Sequence, residues 1–91
     1  FLFVHKPDEL KAAHAKAVAC RNAALPHLRP RAERVAIPFD GKQLYANFRK
    51  PDGIDRPPVV VMCMGLDSAK EEMDAYETDL LRRGMATLCF D

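Results

Sequence analysis

The apolar positions along the chain follow three different periods, and each predicts a different element. After Pro7, Leu10, Ala13, Ala17, Cys20 and Ala24 recur at spacings of three and four, with Lys11, Lys16 and Arg21 largely off that stripe. This is the pattern of an amphipathic helix whose small inward residues allow close packing. Pro7 suits a first helical turn, and Asp8 and Glu9 stand where carboxylates complement the positive end of the helix dipole. Pro26 and Pro30 end the pattern and leave His27, Leu28 and Arg29 as an irregular connector. From Arg34 the period becomes two: Val35, Ile37 and Phe39 alternate with Arg34, Ala36 and Pro38, and Leu44, Ala46 and Phe48 alternate with Tyr45, Asn47 and Arg49. Asp40-Gly41 between the two runs predicts an antiparallel hairpin, and Pro38, which cannot donate to a ladder, places the first strand at an edge. Residues 50–56 read as a loop.

The third pattern is an unbroken apolar run, Val59-Val60-Val61-Met62-Cys63-Met64, too short for a helix and rich in β-branched residues. It predicts a strand covered on both faces, with Pro57 and Pro58 before it. Gly65 then permits a sharp turn, and Ser68 and Glu71 have the spacing of a capping box that opens a helix over residues 69–83. The acids Glu71, Glu72 and Asp74 come early in that helix and Arg82 and Arg83 last, as the dipole favours. Met73, Tyr76, Leu80 and Leu81 are expected to face inward, and Gly84 to stop the helix in a left-handed conformation. A second apolar run over residues 85–90 completes a βαβ unit whose two strands should be parallel, joined by a right-handed crossover. The fold class is therefore α/β: a helix, an antiparallel hairpin, then βαβ, with an incomplete sheet. One crossover helix covers one sheet face only, and the last strand stops where a functional loop ordinarily begins, so the 91 residues are expected to be part of a larger protein.

Composition narrows the function classes. With 48% apolar and 30% charged residues the chain is globular in type, no larger than one small domain, and its longest apolar run is far short of a membrane span. The opening Phe1-Leu2-Phe3-Val4 has neither the basic flank nor the cleavage site of a signal peptide and is expected to pack. Net charge is +1, but residues 1–56 hold eleven Lys/Arg against six Asp/Glu and residues 57–91 three against seven, so the halves carry +5 and −4. Arg29, Arg31 and Arg34 have no interleaved aromatics, so a solvated face is expected, with neither nucleic acid nor membrane as partner. Cys20, Cys63 and Cys89 form no metal or disulfide spacing and read as reduced core residues, which favours a cytoplasmic protein.

The candidate chemistry lies at the turn after the apolar strand. In open parallel sheets ligands gather beyond the carboxyl ends of the strands, where the backbone N–H groups of Gly65 and Leu66 could face an anion. A plain βα unit with no ligand has the same local pattern. His5, His14 and His27 stand alone, without an acidic partner at a useful spacing, and are expected to be structural or solvated. A nucleotide-binding module would need G-x-G-x-x-G or a phosphate-loop lysine, and neither occurs. A small non-enzymatic α/β interaction module stays open as the alternative.

One resemblance adds to this reading. Arg34-Val35 through Pro38-Phe39-Asp40-Gly41, Pro57-Pro58-Val59-Val60-Val61, Gly65-Leu66-Asp67-Ser68, Lys70-Glu71-Glu72, Arg83-Gly84-Met85-Ala86-Thr87 and Phe90-Asp91 resemble the start of α/β-hydrolases. The branch is that of 2,6-dihydroxypseudooxynicotine hydrolase and the fermentation-respiration switch esterase-like proteins. The resemblance divides the chain into a helical leader, 1–31, belonging to a cap or a homodimer surface, and residues 32–91, the first four strands and first crossover helix of the hydrolase domain. It implies a parent serine hydrolase acting on a small-molecule carbonyl substrate, an acyl (ester or thioester) bond or a ketone-activated C–C bond, with no metal or organic cofactor. It also implies that Leu66 supplies one oxyanion-hole backbone N–H, with Gly65 setting the turn. Where relatives usually carry a second glycine or a histidine, this chain has Met64. The only serine, Ser68, is explained as a helix cap and no G-x-S-x-G occurs, so the nucleophile, acid and histidine of the triad are expected outside this sequence.

Overall fold

In a computed structural model the described residues are 6–65 and 68–91. The apolar opening residues 1–4 and His5 lie outside them, as do Leu66 and Asp67. Helix α1 spans Pro7–Ala24, with Pro7 in its first turn and Asp8 and Glu9 beside it, and a single 3-10 turn, Leu25–His27, follows. Strands β1, Ala32–Phe39, and β2, Lys42–Arg49, pair antiparallel from Ala32↔Arg49 to Phe39↔Lys42. The two residues between them take positive φ, 48° at Asp40 and 72° at Gly41, the backbone of a two-residue hairpin turn matched to strand twist. Strand β3 is Val59–Cys63; a 3-10 turn, Lys70–Glu72, leads into helix α2, Asp74–Arg82, and strand β4 is Ala86–Phe90. The sheet order is β1-β2-β4-β3, with β4 antiparallel to β2 and parallel to β3, and β1 at an edge as Pro38 requires.

The helix stop is the one Gly84 predicts. Gly84 has φ 81°, its N–H donates to the Leu81 carbonyl and the Met85 N–H to the Leu80 carbonyl, both at 3.1 Å. These two bonds form a Schellman motif, which satisfies carbonyls that the helix leaves without partners.

Residues paired across the strands share a face. On one face lie Arg34, Asn47, Arg49, Thr87, Cys89, Val60 and Met62, and both helices pack there: Arg34 donates to Asn22 of α1 at 3.0 Å, and Arg49 reaches Glu77 of α2. The other face carries Val35, Ile37, Phe39, Leu44, Phe48, Leu88, Phe90, Val59, Val61 and Cys63, and among the described residues no helix lies over it.

Four expectations are corrected. Strand β3 is not covered on both faces: it is the second edge of the sheet, and Val59 and Val61 on the bare face are 51% and 60% exposed. Cys20 and Cys63 are exposed and only Cys89 is a core thiol, because the first two point away from the helix–sheet interface. In α1 the stripe Ala13, Ala17 and Cys20 faces outward, and Leu10, His14, Val18 and Arg21 are the more covered positions, because the helix contacts the body through long side chains. In α2 the inward positions are Met73, Glu77 and Leu81 while Tyr76 is 65% exposed, because an ion-pair network draws Glu77 into the interface.

That network dominates the interior. Glu77 is fully buried; its Oε2 accepts from Arg49 at 3.1 Å and from Arg21 at 3.2 Å, and its Oε1 accepts from the Cys89 thiol at 3.1 Å. Asp74 Oδ1 receives the same two guanidinium groups at the surface, at 3.3 and 3.4 Å, and Arg49 also donates to the Pro30 carbonyl at 3.0 Å. Leader helix, β2, α2 and β4 are thus tied through one buried carboxylate, and the connector joins them through Arg49.

Candidate functional site at the carboxyl end of the parallel strands

Strands β3 and β4 run side by side to Cys63↔Phe90, and the chain beyond both ends converges on one residue, Lys70. Asp91, next after β4, accepts from the Lys70 backbone N–H at 3.0 Å through Oδ2 and from its ammonium at 3.1 Å through Oδ1. The same ammonium lies 3.1 Å from Glu71 Oε1, and Lys70 is only 6% exposed. A buried lysine is tolerated when carboxylates neutralise it, and here two do. Burial works against ionisation of Asp91, but the two Lys70 hydrogen bonds, the lysine charge and the nearby His14 outweigh it and hold the carboxyl below its ordinary range.

The turn Lys70–Glu72 starts by a route other than the one expected. Ser68 is not the cap. Glu72, one residue later than Glu71, accepts from the Ala69 N–H at 2.9 Å, and Ala69 stands at the cap position. The frame moves by one because Glu71 instead turns its carboxylate to the Lys70 ammonium. The Ser68 N–H donates to the Gly65 carbonyl at 3.4 Å.

Of the residues expected at the site, Leu66 lies outside the described residues. Gly65 is exposed, immediately beyond Met64 at the end of β3, but it does not take a positive φ, and a Cβ added there would meet nothing within 4 Å. Its backbone is therefore one that other residues can adopt, and the turn does not depend on glycine at this position. Of the histidines described, His14 of α1 faces toward the Asp91 end and His27 sits exposed in the connector. Sequence reasoning missed Lys70 and Asp91. Their only local signal is an acid directly after an apolar strand run, since the partners stand 21 residues apart. A surface hollow of about 420 Å³, lined by Arg31 and residues 50–55, lies on the amino side of β3 and shares no lining residue with this site. Among the described residues no helix is long and apolar enough to cross a membrane.

An antiparallel hairpin, a βαβ crossover and the order β1-β2-β4-β3 define the opening of an α/β-hydrolase sheet. The comparisons with known proteins agree. A curated relative, 2,6-dihydropseudooxynicotine hydrolase of Paenarthrobacter nicotinovorans, is 37% identical over 89 residues, covering 98% of this chain and 24% of the relative. The crystal structure of 2,6-dihydroxy-pseudo-oxynicotine hydrolase matches with a TM-score of 0.78 and 42% identity, over 81% of this chain and 21% of that one. No family model matches the chain. The chain has the fold of the opening of an α/β-hydrolase, is similar in sequence to 2,6-dihydroxypseudooxynicotine hydrolase, and spans about a quarter of the length of that curated relative.

Proposed function

We propose that the chain serves as the N-terminal part of a serine hydrolase, in which the backbone N–H of Leu66 is one of two oxyanion-hole donors. The observation that supports this reading is where the described ends of the loop lie: one at the carboxyl end of β3, beside β4, the other at a helical turn fastened to Asp91. A backbone donor held between a sheet strand and an anchored turn needs little reorganisation when charge appears on a substrate oxygen. The hydrolase named for 2,6-dihydropseudooxynicotine supplies the reaction class by relation.

In the proposed reaction a serine hydroxyl adds to the substrate carbonyl, its proton passing to the triad histidine, and the carbonyl electrons move onto oxygen. Leu66 and the residue after the serine donate to that oxyanion. Collapse expels an alkoxide, a thiolate or a ketone-stabilised carbanion, which takes the proton back from the histidine, and water then releases the acyl group from the serine. The bare apolar sheet face, with Phe39 at 68% and Val61 at 60% exposure, weighs against a stand-alone interaction module, because such a face needs cover.

The test uses the full-length natural protein that carries this segment, challenged with a fluorophosphonate serine probe, p-nitrophenyl acyl esters and 2,6-dihydropseudooxynicotine. Covalent labelling with hydrolysis of at least one substrate is expected. Leu66→Pro, which deletes the donor hydrogen, should lower kcat by roughly 10²–10³ in protein that thermal unfolding shows to be folded. No labelling and no hydrolysis would overturn the reading.

A further inference from the structure

We infer that Asp91 is a positioning residue for the oxyanion loop, acting through Lys70; the inference rests on the function proposed above. The loop joining β3 to the Lys70–Glu72 turn has one end fixed by the sheet, at Cys63↔Phe90. Among the described residues its other end has no comparable ladder, and the Asp91 carboxylate ties that end to the sheet, one oxygen on the Lys70 N–H at 3.0 Å and the other on the Lys70 ammonium at 3.1 Å. Two bonds from one carboxylate to the backbone and side chain of the same residue fix both the place and the rotation of that residue. Because Asp91 follows directly on β4, this clamp refers the end of the loop to the strand beside β3 and so makes the loop span a set distance between two neighbouring strands.

The buried setting strengthens the clamp. Lys70 is 6% exposed, so its ammonium has little water to turn to if Asp91 is lost, and among the described residues Glu71 would remain as a carboxylate neighbour at 3.1 Å. Lys70 from the turn and His14 from α1 face Asp91, and both favour the ionised carboxylate. The Glu72 bond to the Ala69 N–H at 2.9 Å rigidifies the same end of the loop, but it is internal to the turn and cannot refer it to the sheet. Asp91 alone among these acids belongs to a strand end.

A donor that is mis-aimed by a fraction of an ångström loses transition-state stabilisation while ground-state binding survives. The experiment therefore separates kcat from KM in the full-length protein carrying the segment, using p-nitrophenyl acyl esters, with Asp91→Ala and Asp91→Asn as variants. Expected is a fall in kcat of about 10²-fold for Asp91→Ala with KM within about threefold, and a smaller fall for Asp91→Asn, which keeps an acceptor for the Lys70 N–H. A trifluoromethyl ketone, which mimics the tetrahedral adduct, should lose affinity in step with kcat, a response that general loss of folded enzyme would not give. Should Asp91→Ala fail to fold, Asp91→Asn decides alone. The inference is overturned if wild-type kcat persists in the folded variants, if KM carries the loss, or if trifluoromethyl ketone affinity is unmoved. If the wild-type protein neither labels with a fluorophosphonate nor hydrolyses any ester, the functional reading itself has failed, and that result appears before any variant is made.

Discussion

Arg49 and Glu77 meet at 3.1 Å with side-chain exposures of 3% and 0%, so a strand of the hairpin is joined to the crossover helix by an ion pair removed from solvent. Such a pair need not add net stability, since desolvation offsets much of the attraction, but removing one member strands the others. Arg21 sits at 3.2 Å from the same carboxylate.

Glu77→Ala is therefore expected to cost about 3–5 kcal/mol, towards the lower end because Asp74, 56% exposed, can still turn to both guanidinium groups. Urea unfolding of the protein carrying this segment measures it. The double variant Arg49→Met, Glu77→Leu should be more stable than the sum of its single variants predicts, by about 1–3 kcal/mol, and this coupling should change little between low and high salt.

The thiol on the same carboxylate sets a pH dependence. Burial first, then the hydrogen bond to Glu77 and its charge, push Cys89 far above the ordinary thiol range, against the smaller pull of Arg21 and Arg49. The folded state thus keeps a proton that the unfolded chain releases above about pH 8.5, so stability is full below that pH and declines as pH rises beyond it. Between pH 8 and pH 10 the decline from this group should be about 2 kcal/mol. It is read as the difference in pH slope between wild type and Cys89→Ala; parallel slopes would refute it.

What could be read from the sequence follows from how local each determinant is. Asp40-Gly41 with flanking alternation, and Gly84 after a charge-ordered helix, are decided within a few residues, and both stand as expected. The side of the sheet that meets the helices is not decided locally. Period two fixes that Asn47 and Arg49 share a face, but not that this polar-looking face is the inner one, which follows from Glu77, 28 residues away. Equally, Tyr76 rather than Glu77 is the natural inward choice until Arg21 and Arg49 are known to converge. At the end of β3, where the sequence puts the candidate site, the clamp was not legible, because Lys70 and Asp91 look like surface charges until the strands are paired.

Two glycines separate backbone need from site chemistry. Gly84 has φ 81°, and a Cβ there would come within 3.2 Å of Ile54 Cδ1, so Gly84→Ala adds left-handed strain to a tight contact. Ile54 lies on a loop and can yield, so the cost should come chiefly from the backbone, about 1–2 kcal/mol. Gly65 has neither constraint, and Gly65→Ala should leave the unfolding free energy within about 0.5 kcal/mol of wild type, or raise it slightly by restricting the unfolded chain. Thermal unfolding of both variants checks the contrast. If Gly65→Ala is as destabilising as Gly84→Ala, the loop depends on glycine after all. If it is neutral in stability and lowers kcat, the loss lies in the approach of a substrate oxygen to the loop, because the methyl group would then be felt by the substrate and not by the fold.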